Sequence, residues 1–322
     1  MRGRPTVTDL FAGAGLLSHA FKREGFKIQH AIEAERAAAA TYAANIGRHV
    51  RVADVRRVAP YGRCDVLIAG PPCQGFSTLG RRDSLDPRNL LSLAVLPWVR
   101  HTRPAVVVIE NVAPFLASRV WKRLARGLER LHYDVSTVVL NAVEFGVPQL
   151  RTRSFTFASR RGRPVLAPMR RAARTVREAW EGLPARPDGR NNHFAPTPTP
   201  LGLARIKCIP RGGDKRDIMR RAPHLAPPSW WRTYRQATDV WGRMEWDAPS
   251  NTLRTCLYNP SKGRYVHPEQ HRVISLREAA RLQTVPDSFR FIGLHTQIAR
   301  QIGNGVPPAL GRAVARAVRD LL

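Results

Sequence analysis

Between residue 6 and about residue 160 the chain changes hydrophobic period repeatedly, and that alternation restricts its fold more than any single motif does. Short β-branched, apolar runs read as strands at Thr6 to Phe11, Ile28 to Ile32, His49 to Val52, Val66 to Ala69 and Ala105 to Glu110. Helical spacing falls between them, at Leu16 to Glu24, in the alanine-rich stretch Ala34 to Asn45, and at Val120 to Leu131, where Trp121, Leu124, Leu128 and Leu131 share one face. Asp134 to Leu140 and Arg153 to Ser159 read as two further strands. This order predicts an α/β fold, a doubly wound and mostly parallel sheet with helices on both faces.

Beyond about residue 160 the periodicity weakens and proline and arginine accumulate, as in RRGRPVLAPMRR and NNHFAPTPTPLG. A linker of such composition would be poor in aromatics, whereas Trp230, Trp231, Tyr234, Trp241 and Trp246 crowd this stretch, so a smaller irregular domain is expected. About half of those aromatics are expected to form its own core. Near the end, Leu276 to Gln283 reads as a helix with Ser275 as N-cap and Glu278 closing a capping box. A last helix, Pro308 to Leu322, follows the turn Gly303-Asn304-Gly305, and no internal repeat is present.

Lys and Arg number 53 against 24 Asp and Glu, a formal net charge of +29. Codon bias can favour Arg over Lys but cannot produce an excess of base over acid, so a polyanionic partner is implied. The guanidinium fork suits phosphates and base edges. Charge alone does not separate an enzyme from any other nucleic-acid-binding protein. The four cysteines, Cys64, Cys73, Cys208 and Cys256, lie far apart with no zinc-ligand spacing, so no metal is expected and a reducing compartment fits. No apolar run reaches the length of a membrane span, and MRGRPTVTDLF has no signal-peptide core, so a cytoplasmic protein without membrane contact is expected.

Against this background one cysteine stands apart. Cys73 follows the apolar run Asp65 to Ala69 inside Gly70-Pro71-Pro72-Cys73-Gln74-Gly75-Phe76-Ser77. Two prolines stiffen the loop, and the carboxyl edge of an open α/β sheet is where such folds bind ligands. An isolated cysteine more often only packs; this context points to a displayed nucleophile. Asp9-Leu10-Phe11-Ala12-Gly13-Ala14-Gly15 places glycines after the first strand, although Ser18 stands where a dinucleotide fingerprint needs glycine, which weakens a nicotinamide-dependent reading. Glu33 closes the second strand, where a carboxylate can accept ribose hydroxyls; Asp54 closes the third, where it can accept from an adenine amino group or simply cap the next helix. Glu110 in Glu110-Asn111-Val112 ends a buried strand, a setting that can raise a carboxyl pKa for hydrogen bonding to a ring nitrogen. In Gln149-Leu150-Arg151-Thr152-Arg153 the two arginines alternate on one face of an extended segment; they could reach a carbonyl oxygen or a phosphate, or form an exposed basic edge.

Taken in order along nearly the whole chain, DLFAGAG, Glu33, Asp54, GPPCQGFS, ENV, QLRTR, RVISLREAARLQTVPDSF and QIGNGVPPAL resemble the DNA (cytosine-5)-methyltransferase family of bacterial type. The resemblance implies a Rossmann-like methyltransferase fold and S-adenosylmethionine as cofactor. It implies that Cys73 adds to carbon-6 of a flipped cytosine, that Glu110 binds ring nitrogen 3 and the amino group, and that Arg153 contacts the ring carbonyl with Arg151 in support. Phe11 would pack on the adenine, Gly13 and Gly15 would let the chain pass the methionine moiety, Glu33 would hold the ribose and Asp54 the adenine amino group. Pro72, Asn304 and Val306 would line or close the cofactor site. Many members have glycine where this chain has Leu16, a side chain that could crowd the cofactor loop. The expected division is a catalytic domain over 1–180, a target-recognition domain over 181–275, a hinge over 276–293, and 294–322 returning to the catalytic domain. Double-stranded DNA is the expected partner of a monomer, which is either one half of a restriction-modification system with a separately encoded endonuclease or an orphan methylase. A transfer-RNA branch of the same chemistry is disfavoured by the large variable region, and an idle DNA-binding protein by the presence of Cys73, Glu110 and Arg153.

Overall fold

The computed structural model describes residues 3–72, 87–168 and 172–322. Two compact units form, one from 1–145, 152–169 and 306–322 and the other from 146–151 and 170–305.

The first unit is built on seven strands: β1 (Thr6–Leu10), β2 (Lys27–Glu33), β3 (Val50–Val52), β4 (Val66–Ala69), β5 (Val106–Asn111), β6 (Asp134–Asn141) and β7 (Thr152–Ser159). Their order is β3-β2-β1-β4-β5-β7-β6, parallel throughout except for β7, which runs antiparallel to both neighbours. The expected α/β architecture is therefore the one observed, with helices α1 (Leu16–Arg23), α2 (Arg36–Asn45), α3 (Val95–Thr102) and α4 (Arg119–Arg130) connecting strands. Buried β-strands with alternating faces explain the two layers. Leu10, Leu67, Ala69, Val107 and Ile109 pack with Trp98, Leu124 and Leu128 of α3 and α4. Asp9, the neighbour of Leu10, faces the opposite way and meets Ser18 of α1.

Register sets up one working edge. Leu10 pairs with Ile32 and Ala69, and Ala69 pairs with Ile109. The residues that follow, Glu33, Phe11, Gly70 and Glu110, consequently emerge together at the carboxyl ends of four adjacent parallel strands, with the switch in strand order between β1 and β4.

The second unit holds α5 (Val176–Trp180), α6 (Pro200–Lys207), α7 (Lys215–Arg221), α8 (Pro228–Arg232), α9 (Leu276–Leu282) and α10 (His295–Asn304). Among its described residues, pairing of extended backbone is confined to isolated bridges such as Arg243 with Val266. Ile206, Ile209, Ile218, Trp241 and Val266 form a small core with Trp230 packed against it. α9 starts as its sequence predicts, with the Ser275–Glu278 capping box, and Glu278 also pairs with Arg272 at 2.7 Å.

The expected domain boundaries shift in three places. α5 belongs to the second unit, because the Trp180 indole donates to the Glu278 carbonyl. Residues 276–293 are not separate from it either, since α9 packs on α5 and α10, and Gln283 donates to the Ile302 carbonyl. The chain rejoins the first unit only at Val306, so 294–322 is two helices in different units: α10, and α11 (Pro308–Arg319), which packs on α1. Glu24 anchors that return, bonding Arg312 at 2.5 Å.

Candidate active site

The first cluster lies at the ends of β1 and β2. Phe11 takes a left-handed backbone (φ +58), unusual for a bulky side chain, and Gly13 and Gly15 follow at φ +56 and +85. The loop is fixed by Glu33, whose carboxylate accepts from the Gly13 amide and from the Glu35 amide, both at 2.7 Å. Burial pushes the Glu33 carboxyl up, while these amides pull it down. The two glycines differ in purpose. A Cβ on Gly13 would meet nothing within 4 Å, whereas on Gly15 it would strike the Tyr42 ring at 2.7 Å. Gly15 is thus required by the packing of α2 against the loop. Leu16 is 2 % exposed, so its side chain is buried in the unit.

Beneath the loop lies a polar chain that motif reading left unassigned. Asp9, 2 % exposed, accepts from the Ser18 hydroxyl at 2.7 Å; Ser18 meets the Tyr42 hydroxyl at 3.0 Å, and Tyr42 meets His49 Nε2 at 3.4 Å. Burial pushes Asp9 up to about 7, opposed by the Ser18 hydrogen bond and aided by the charge of Glu33. The available signal was an acid inside a strand whose other residues, Thr6, Val7, Thr8 and Leu10, carry no charge.

The second cluster lies at the end of β5. Glu110 Oε1 sits 2.9 Å from Arg153 Nε, and both side chains are nearly buried, at 10 % and 13 % exposure. A Cβ on Gly70 would lie 3.8 Å from Glu110 Oε2 and 3.9 Å from the Phe11 carbonyl, so the Gly70-Pro71-Pro72 segment starts between the two clusters. Asn111, known from sequence only as a letter of ENV, donates to the Pro71 carbonyl at 3.3 Å and holds that segment to β5. Cys73 itself lies outside the described residues. The pair Glu110–Arg153 offers an acceptor beside a fixed fork of donors, a combination suited to a heterocycle that carries an amino group next to a carbonyl.

Other expected site residues sit elsewhere. Arg151 does not accompany Arg153. β7 begins at Thr152, so strand alternation does not reach Arg151; its guanidinium is fully buried in the second unit and donates to the carbonyls of Leu253 (3.0 Å), Gly303 (2.7 Å) and Gly305 (3.0 Å). Within the second unit it acts as a backbone clamp. Asp54 accepts from the Arg56 amide and pairs with the Arg56 side chain at 2.6 Å, which holds its carboxyl below the ordinary value. That is the capping role, with the adenine role untouched by it. Pro72 is half-buried at the working edge, Asn304 is exposed at the end of α10, and Val306 is buried in the first unit.

The profile of C-5 cytosine-specific DNA methylases matches residues 6–184 and 212–320. The chain belongs to that family, and its activity is that of a DNA (cytosine-5)-methyltransferase. Type II methyltransferase M1.HphI of Haemophilus parahaemolyticus is 34% identical over 334 residues, covering 97% of this chain and 86% of that protein. Type II methylase M.HgiDII of Herpetosiphon aurantiacus is 31% identical, over 98% of this chain and 95% of its own length. The Entamoeba histolytica methyltransferase EhMeth shares the fold, with a TM-score of 0.70 at 14% identity over 99% of each chain. Membership of the family implies methylation dependent on S-adenosylmethionine, with DNA as substrate.

Proposed function

We propose that the protein methylates carbon-5 of a cytosine flipped out of duplex DNA, with the Cys73 thiolate as covalent nucleophile. The observation that carries this reading is the Glu110–Arg153 pair at the strand edge from which Gly70-Pro71-Pro72 leads into Cys73. A base inside the stack cannot reach such an edge, so flipping is required. Glu110 binds the amino group and ring nitrogen 3, and Arg153 donates to the ring carbonyl, which offsets charge as the thiolate adds to carbon-6. That addition makes carbon-5 nucleophilic. After carbon-5 takes the methyl group it loses its proton, and the thiolate leaves from carbon-6, restoring the aromatic ring.

The residues fit S-adenosylmethionine on an observation of the loop itself: open space beside Gly13 next to a carboxylate already held by two amides. When bound, the cofactor supplies an electrophilic methyl group on sulfur. Glu33 would accept from the ribose, Phe11 would pack on the adenine, Asp54 would read its amino group, and Pro72 and Val306 would line the remainder.

Specificity is assigned to 181–275, with the structure sorting its candidates. Trp230 and Trp241 are core, and Arg243 is buried with its fork on the carbonyls of Ile206, Ile209, His267 and Gln270. Trp231 and Tyr234 remain 52 % and 45 % exposed beside exposed Arg232 and Arg235, so these four are free of the domain core and are proposed to meet DNA. The names of the type II relatives support a role beside a separately encoded restriction endonuclease. Among the described residues no helix is long and apolar enough to cross a membrane.

Expression in a methylation-free host followed by bisulfite sequencing tests activity and reads the target site together. Cys73→Ala protein should fold and bind cofactor yet leave that DNA unmethylated, while DNA carrying 5-fluorocytosine at the site should trap wild type covalently. Normal turnover by the alanine variant would overturn the mechanism.

A further inference from the structure

We infer that Asp9 is a proton-bearing carboxyl beneath the glycine loop that ionises when a cationic ligand binds there, so that S-adenosylmethionine binding releases a proton and binding of its product S-adenosylhomocysteine, whose sulfur is neutral, releases less. The inference rests on the cofactor reading above and concerns a positioning residue that acts through the field at the loop.

Three observations carry it. First, Asp9 is almost completely buried, one residue from the end of β1, and among the described residues no lysine or arginine forms an ion pair with it. Second, the groups that face it favour a neutral acid. β2 contributes the like charge of Glu33, α1 the Ser18 hydroxyl, α2 the Tyr42 phenol, and β4 the apolar register partner Ile68. Third, the proton has a route. Ser18 and Tyr42 connect Asp9 to His49, which is exposed.

The chain has two hydrogen-bond directions, one for each state. With Asp9 neutral, its O–H donates to Ser18, Ser18 to Tyr42, and Tyr42 to an unprotonated His49 Nε2. With Asp9 ionised, every bond reverses: His49 Nε2–H donates to Tyr42, Tyr42 to Ser18, and Ser18 to the carboxylate. Conversion moves each hydroxyl proton one step outward, and the imidazole loses its Nδ1 proton to water. No group is oxidised or reduced, and one proton leaves. Burial and the charges of His30 and Lys22 hold His49 below its ordinary value, so the imidazole is suited to relay a proton and not retain it. Burial pushes the carboxyl itself up to about 7.

A buried acid near its midpoint responds to a cation by releasing its proton, and affinity then rises with pH, by at most about tenfold per unit for one proton. The two adenosyl ligands share the same ammonium and carboxylate, so the sulfonium is the difference between them. Calorimetry of each ligand with the whole protein, in two buffers of different ionisation enthalpy near pH 7, counts the protons released. Wild type should release a sizeable fraction of one proton on S-adenosylmethionine and less on S-adenosylhomocysteine, and Asp9→Asn should abolish the difference. Infrared spectroscopy of wild type gives a readout without a variant, because a protonated-carboxyl band should fade as S-adenosylmethionine is added. Binding of both ligands with no buffer dependence and no band change would overturn the inference while leaving the cofactor reading intact. Absence of binding by either ligand would overturn both.

Discussion

Arg151 separates a structural from a catalytic role for the QLRTR string. Its guanidinium spans three backbone carbonyls, at Leu253, Gly303 and Gly305, inside the second unit. Replacing it with alanine removes three charge-assisted hydrogen bonds and strands three carbonyls beside a new cavity. Each stranded buried acceptor costs about 1–3 kcal/mol, and partial rehydration makes the sum less than additive. A loss of roughly 3–5 kcal/mol is expected, similar to that of breaking a buried ionic contact. For a protein of this size that corresponds to a fall in Tm of about 4–7 °C. Arg151→Lys should recover only part of it, because one ammonium cannot replace a planar fork that reaches carbonyls on separate segments. Thermal unfolding by circular dichroism measures the loss, and methyl transfer assayed well below the variant's Tm measures what chemistry survives. The clamp reading expects reduced stability with chemistry largely retained at low temperature. An Arg151→Ala protein that melted with wild type but transferred no methyl group would refute it and return Arg151 to the pocket.

Glu33→Ala should weaken S-adenosylmethionine binding by about 1–3 kcal/mol, roughly five- to 150-fold, with cofactor-independent DNA affinity unchanged; titration calorimetry with unaltered affinity would remove Glu33 from the site. Stability should carry two opposing pH slopes. Asp9, raised from 3.8 to about 7, holds more protons folded than unfolded, so its contribution is full below 3.8 and lost as pH rises toward 7. His267, lowered by burial from 6.5 to about 4, holds fewer, so its contribution is full above 6.5 and lost as pH falls toward 4. Urea melts across this range should show the falling slope vanish in Asp9→Asn and the rising one in His267→Asn, each by at most about 1.4 kcal/mol per pH unit. Arg232→Ala and Arg235→Ala should leave stability within about 0.5 kcal/mol while changing DNA selectivity or its salt dependence, whereas Arg243→Ala should lower Tm; the reverse pattern in paired melting and methylation assays would exchange their roles.

The sequence by itself determined the sheet and its working edge, because both depend on local patterns. Apolar runs of strand length separated by helical spacing leave few topologies, and acids or glycines directly after such runs must emerge where the strands end. Glu33, Phe11, Gly13 and Glu110 could be placed for that reason. The Glu110–Arg153 contact needed more: only the antiparallel insertion of β7 beside β5, which sets Glu110 against Phe155 and Asn111 against Ser154, brings the arginine to the acid.

Tertiary structure alone decided which of several chemically equal residues faces inward. Arg151 and Arg153 stand two apart in one string, yet β7 starts between them and one became a buried clamp. Arg243 looked as suited to DNA as Arg232 until four carbonyls of a domain with little regular strand pairing claimed its fork. Gly15 looked like Gly13 until Tyr42 filled the space above it. Irregular backbone explains most of this. A domain that cannot satisfy its carbonyls in ladders recruits side chains from distant positions, and sequence periodicity carries no record of those long-range pairings. The same holds for Asp9, whose acid was plain in the sequence but whose hydroxyl chain to His49 exists only because α1 and α2 close over one face of β1.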